Sequence, residues 1–450
     1  MTQRALAVLF LVLAAACGSP PPSSTYRVVV FTDVHFTPFY DPALFPALQD
    51  SPASAWPAIF QRSTVTTLPT WGQETNYPLL AGALAALRAE SAGAELVVFG
   101  GDIVTHDFPR LFYANAGVTD DAAMRRFLLK TVTFFADQVR AAVGTTPVVF
   151  TLGNNDAYEG NYQIQPGGAF LADTADLFYG ELLVGAADRS TFTTSYRAGG
   201  YYVADPGPGR PLVVALNAIF FSPWSATGID AAIQAELDWL ESTLIAAGHS
   251  GRPVWLLLHI PAGGDLYSTA SQADPRGHIT DAVMSWKPEP QARFLSILSR
   301  HGVSVTTGFF GHTHVDEFRL AATTLEGVPA VSPIYGNNPT FKTFTFSDVG
   351  APLDFTAITL DLAFRPTGFA PTYTFTSAYR ASDPLGPALW TLFPALATNV
   401  ALQDSYRWNY YAGRTPSPIT GQTWPIYWCG IATLEKQPLI DCVNGYSGLR

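Results

Sequence analysis

The stretch Phe309–Phe318, FFGHTHVDEF, decides how the rest of this chain is read. The run Val303–Phe310 is short, largely apolar and rich in β-branched and aromatic residues, which predicts a buried strand. Gly311 breaks it, and His312 and His314 follow with one residue between them. Two imidazoles at i and i+2 in a tight loop can both turn onto one small cation. Imidazole is a ligand of zinc, iron and other first-row metals. A lone HxH is as readily a pair of solvated loop histidines, so its meaning rests on what the other strand ends carry.

Those ends repeat the pattern. Tyr26–Phe31 reads as a strand and runs into Asp33-Val34-His35. Glu95–Phe99 stops at Gly100-Gly101-Asp102, with His106 four residues on. Pro147–Leu152 leads to Gly153-Asn154-Asn155-Asp156, and Pro253–Leu258 ends in His259. Helical patterns lie between them at Leu79–Ala92, Asp121–Val143, Ala231–Ala247 and Gln291–His301, and Pro211–Asn217 adds a further strand. Strands alternating with helices predict α/β architecture, in which ligands bind beyond the strand ends. One Asp or Asn in such a place reads as a helix N-cap. Five strand ends that each carry Asp, Asn or His predict a site. Beyond Val331 the chain reads as strands at Phe341–Phe346, Phe355–Leu362 and Thr372–Ser377, then as aromatic helix over Pro384–Tyr411.

The collected set is Asp33, His35, Asp102, Asn154, His259, His312 and His314. Seven ligands exceed one tetrahedral zinc and suit two divalent ions that share a bridging carboxylate. Such ions sit ~3.5–4 Å apart, acidify a water and clamp the oxygens of an in-line displacement. Mixed His, Asp and Asn ligands suit zinc, iron or manganese.

In this order the residues resemble the calcineurin-like metallophosphoesterases, whose motifs run DxH, GD, GNH(D/E), H and GHxH. The match spans about Tyr26 to Phe318. Gly101-Asp102-Ile103 with His106-Asp107, Leu258-His259-Ile260-Pro261, GHTHVDEF and Ser332–Pro339 are similar to the acid sphingomyelinase-like phosphodiesterases, as is the aromatic, cysteine-paired C-terminal region. The resemblance implies a metallophosphoesterase-type β-sandwich flanked by helices, with a small, mainly helical C-terminal region. It implies that Asp33, His35 and His314 hold one metal, that Asn154, His259 and His312 hold the other, and that Asp102 bridges them. With the histidine-rich set it favours zinc. The reaction implied is in-line attack on a phosphate ester by a hydroxide held between the metals.

The chain departs from the pattern at Asn155, where the family has a histidine that contacts phosphate or assists the leaving group. An amide can hydrogen-bond a phosphoryl oxygen but cannot donate a proton near neutral pH. In the sphingomyelinase-like branch the histidine matching His106 lies beside the metals, so His106 is the expected proton donor; the plainer reading is a loop histidine bonded to Asp107 or to a ligand. Some related endopolyphosphatases share the GNND form. Tyr335, Asn337 and Asn338 read equally as cleft residues or as a turn.

A net charge of −11 and only 14% charged residues argue against nucleic acid as a partner. Arg4 and the apolar run Ala5–Ala16 read as an export signal ending at Cys17, a candidate for lipidation. The expected divisions are a signal at 1–17, a tether at 18–25, a catalytic domain at 26–383 and a C-terminal helical subdomain at 384–450. Cys429 and Cys442 read as a disulfide in an exported chain, with zinc binding the weaker alternative because a structural zinc takes four ligands. No saposin-like lipid-presenting domain is expected before Tyr26, which turns the expectation away from sphingomyelin itself. The reading is an exported phosphodiesterase, anchored to a membrane through Cys17 or secreted. Its rivals are an endopolyphosphatase or nucleotide phosphodiesterase on the same site, and a metal- or phosphate-binding lipoprotein impaired by Asn155. Specificity is expected in loops 36–75, 157–200 and 262–288.

Overall fold

The computed structural model describes residues 24–364 and 368–448, so the readings of the signal, of Cys17 and of most of the tether lie outside the described residues. Twelve strands occur among those described: β1 Thr25–Phe31, β2 Leu96–Phe99, β3 Val148–Phe150, β4 Tyr202–Ala204, β5 Leu212–Ala215, β6 Val254–Leu257, β7 Val305–Phe310, β8 Phe318–Leu320, β9 Thr324–Gly327, β10 Thr340–Ser347, β11 Pro352–Thr359 and β12 Ala370–Thr374. They form two six-stranded sheets, ordered β12-β11-β10-β1-β2-β3 and β4-β5-β6-β7-β9-β8. The runs β1-β2-β3 and β5-β6-β7-β9 are parallel, and the outer strands join antiparallel.

The sheets face each other. Trp255 of β6 packs at 4.3 Å from Phe346 of β10, and Phe309 of β7 at 5.2 Å from Phe344 of β10. At the other edge the Tyr202 hydroxyl of β4 accepts from the Phe150 amide at 2.9 Å and donates to its carbonyl at 2.7 Å. Strands LVVF (β2) and VWLL (β6) are buried along their whole length, as helix-covered parallel strands must be. The α/β sandwich flanked by helices is therefore present.

Some boundaries fall elsewhere than the sequence suggests. Val303 is 95% exposed in a turn, and the strand begins at Val305. β12 stops at Thr374 rather than Ser377, because Thr374 and Ser377 form a capping box that starts the helix Phe375–Tyr379. The predicted helix over Pro384–Tyr411 is two helices, Leu385–Leu396 and Val400–Tyr410. Two more follow, Trp424–Ala432 and Lys436–Gly445, joined by a disulfide between Cys429 and Cys442, so the thiolate alternative for zinc falls away. Among the described residues no single helix is long and apolar enough to cross a membrane.

The C-terminal helices are tied to the sheet through a buried cation. Arg319 of β8 pairs with Glu317 at 3.0 Å and donates to the carbonyl of Gly430 at 2.7 Å.

Candidate metal centre

Each parallel strand that carries a motif ends in a short turn that aims a side chain across the same end of the sandwich. Asp33, His35, Asp102, His312 and His314 all take positive φ, between 45° and 69°. A left-handed non-glycine residue costs about 1–2 kcal/mol, and such conformations gather where a site over-determines the backbone. Glycines supply the close approaches. A Cβ at Gly311 would fall on the Thr32 hydroxyl and the Asp33 carboxylate, and one at Gly153 on Asp102.

The structure brings all seven predicted residues into one cluster, buried except for a partly open His312. Asp102 Oδ2 lies 3.3 Å from His35 Nε2 and 3.3 Å from His259 Nε2, midway between the two halves. Asp33 Oδ1 is 3.3 Å from His314 Nε2, which lies 3.1 Å from His35 Nε2. On the other side Asn154 Oδ1 is 3.0 Å from His259 Nε2 and 2.8 Å from His312 Nδ1. The donor atoms of Asp33, His35 and His314, and those of Asp33, Asp102 and His259, each lie within 4.8 Å of one another.

Surrounding groups hold these atoms in place. The His259 Nδ1 faces the Gly100 carbonyl at 2.7 Å, which leaves Nε2 for the cluster. The Asn154 amide donates to Asn161 at 2.6 Å, turning its oxygen to the imidazoles. Asp33 accepts from the Thr32 hydroxyl at 2.6 Å and from the His312 amide. Asp156 accepts from the backbone of Gly153, Asp102 and Ile103, stapling two motif loops together.

Burial is the largest single influence on His35 and His259 and opposes their charge, yet Asp102 and the other acceptors around each ring together exceed it and raise both to about 9. Burial likewise opposes ionisation of Asp102, but His259 and His35 hold it below the usual carboxylate range. His312 is pushed down to about 3 by burial. Imidazole nitrogens and carboxylate oxygens that converge in a dry pocket, with two Nε2 atoms face to face, fit divalent cations.

Asn155 is not aimed at open space. Its backbone amide donates to Asp102 Oδ1 at 2.7 Å and its side chain to Asp102 Oδ2 at 3.0 Å. His106 bonds neither Asp107 nor the cluster. Its Nδ1 contacts Glu74 at 2.7 Å, its ring stacks on His35 at 4.3 Å, and its Nε2 faces the Tyr335 hydroxyl at 3.2 Å. Tyr335 lines the cleft, whereas Asn337 and Asn338 are buried just past the turn that Gly336 closes onto Pro333, and their amides brace the carbonyls of Ala330 and Ala412.

Beside His312 opens a cavity of about 360 Å³, lined by Tyr162, Asp265, Tyr267, Glu317, Tyr335 and Tyr411 among others. Tyr162 and Asp265 come from the loops expected to carry specificity, but Tyr411 comes from the C-terminal region. Glu74, Asn161 and Tyr411 escape a sequence reading because no fixed spacing links them to a motif, whereas Asp156 lies inside Gly153-Asn154-Asn155-Asp156 and only its stapling role escapes.

The sequence model of the calcineurin-like phosphoesterases matches residues 26–316. Sphingomyelinase phosphodiesterase D of Dictyostelium discoideum is 24% identical over 371 residues, 77% of this chain and 76% of that one. Human sphingomyelin phosphodiesterase is 25% identical over 407 residues, 82% of this chain but only 56% of the human protein. An endopolyphosphatase of Neurospora crassa is 23% identical over 236 residues, 50% of this chain and 28% of that one. The resemblance to the sphingomyelinase-like branch thus extends past the motifs into the remainder of the chain. With a family match over most of its length and the motif residues gathered at one end of the sandwich, the chain belongs to the calcineurin-like phosphoesterase family and is a hydrolase of phosphoric esters.

Proposed function

We propose that this protein is an exported phosphodiesterase in which Asp33, His35, Asp102, Asn154, His259, His312 and His314 hold two divalent cations, with zinc preferred over iron or manganese. The observation that carries this reading is Asp102 Oδ2, equidistant at 3.3 Å from imidazoles of the two halves of the cluster. Cations held there supply an acidified water and neutralise charge on the phosphoryl oxygens. The chain's own residues do the rest. Asn155 orients Asp102. His106, partly open to solvent and in contact with the cavity-lining Tyr335, protonates the departing oxygen. Tyr335 and Tyr162 wall the leaving group's side of the cleft.

Arg319 in the cavity wall offsets Glu317 at 3.0 Å, so Asp265 is the acidic side chain there that favours a neutral or cationic leaving group over a polyanion. The GNND form and the Neurospora relative support the second reading, an endopolyphosphatase. Export rests on the leader-like Arg4–Cys17 segment, and membrane anchoring on lipidation of Cys17.

Hydrolysis of bis-nitrophenyl phosphate, nitrophenyl phosphorylcholine and nitrophenyl phosphate, with metal content measured on the same sample, tests the proposal. Diester turnover with close to two metals per chain is expected. Preference for the monoester would overturn the phosphodiesterase, and cleavage of polyphosphate, offered in a parallel assay, in place of the diesters would replace it with the second reading. Two bound metals with no turnover on any ester would leave a binding lipoprotein.

A further inference from the structure

We propose that Glu74 is a positioning residue that holds His106 in register for proton delivery to the leaving group. The inference rests on the reading of His106 as proton donor. Glu74 Oε1 meets the His106 ring nitrogen Nδ1 at 2.7 Å and accepts from the His106 backbone amide at 3.2 Å, so one carboxylate oxygen fixes both ring and main chain. Engaging Nδ1 leaves Nε2 as the working atom, and Nε2 faces the hydroxyl of the cavity-lining Tyr335 at 3.2 Å.

Glu74 is itself held firmly. The next residue, Thr75, bridges to Phe36 beside the first motif and takes the Thr37 amide on its carbonyl at 2.9 Å. Asn76 then caps the helix Tyr77–Ser91 through the Leu79 amide. Glu74 is only 17% exposed and its second oxygen has no partner. A largely desolvated carboxylate set against a histidine that stacks on the cluster is a costly arrangement for structure alone.

The donor atoms of His35, Glu74 and His106 also lie within 4.8 Å of one another, which raises a third cation as the rival account. Ring geometry argues against it. His35 and His106 are stacked with planes 10° apart. Imidazole lone pairs lie in the ring plane, so stacked rings do not converge on one ion. In the step itself the new P–O bond forms to the incoming water oxygen as the ester P–O bond breaks. The departing oxygen takes the proton from His106 Nε2, the water's proton passes to solvent, and Glu74 keeps its Nδ1 contact throughout.

The test compares Glu74→Ala, Glu74→Gln, His106→Ala and Glu74→Ala/His106→Ala on an alkyl diester and a nitrophenyl diester, with metal content and thermal unfolding measured alongside. Expected for Glu74→Ala is a kcat loss of about tenfold or more on the alkyl ester, a small change on the nitrophenyl ester and unchanged KM and metal content. Glu74→Gln, which keeps a carbonyl acceptor, recovers most of the loss, and the double variant is no slower than His106→Ala. Equal losses on both esters, lost metal or additive losses in the double variant would overturn the role of Glu74. If Glu74→Ala does not fold, the smaller residual loss in Glu74→Gln is read instead: it must still fall mainly on the alkyl ester, and a leaving-group-independent loss there overturns the role too. A His106→Ala variant with no leaving-group dependence would instead remove His106 as the acid, and the proposal with it.

Discussion

Asn155 shows how one side chain can leave a family's pattern and still serve its site. Both of its donors are engaged with Asp102, one to each carboxylate oxygen. The side chain therefore acts on the orientation of that carboxylate. Partners that orient a ligand are worth about tenfold to a hundredfold in metal affinity or activity. Asn155→Ala is expected to lose that much metal affinity, read by titration with a competing chelator. Unchanged affinity would return Asn155 to a role towards substrate. At this scale the seven cluster residues are legible because each follows its strand directly. Glu74 is not, since its contact with His106 spans 32 positions and joins two loops.

Between strand and site stands the tight turn, and here glycine decides. At Gly311 and Gly153 a single methyl group would enter the space of Asp33 or Asp102. Gly311→Ala and Gly153→Ala are each expected to lose bound metal and turnover while the folded far-UV spectrum persists. Retention of full metal content in either would show that the turn yields without moving the carboxylate. The apolar runs made the strands legible, because parallel strands covered on both faces carry few polar residues. The hairpin of β8 and β9 was not legible. Its strands are three and four residues long and include Arg319 and Glu326, polar side chains that are nonetheless buried. The end of β12 was missed for a local reason, the capping box at Thr374.

Across the whole molecule, stability also depends on buried polar groups outside the metal cluster. Glu236 is fully buried, accepts from the Asn217 amide at 2.7 Å and is raised by burial to about 8. Its folded pKa exceeds the ordinary value of 4.5, so the folded chain binds the extra proton between these limits. That contribution is complete below about 4.5 and is lost as pH rises through about 8. Glu236→Gln should therefore flatten the decline of unfolding free energy over that window, measured by denaturant titration at several pH values. An unchanged slope would place the dependence elsewhere. The Cys429–Cys442 link closes a separation of 13 residues, and opening a loop of that size costs about 3 kcal/mol. The paired Cys→Ser variant should lower the thermal midpoint and leave metal content unchanged. Lost metal would mean that the C-terminal helices hold the centre as well as the cavity wall.

β1 enters the sheet at Thr25 and reaches the centre only past Phe31, seven residues or about 20 Å further on. Entry and centre therefore lie at opposite poles. A leash attached upstream of Thr25 would grip the protein by its back, with the cleft turned outward. Substrate would then arrive from the open medium, not from the surface to which the protein is moored.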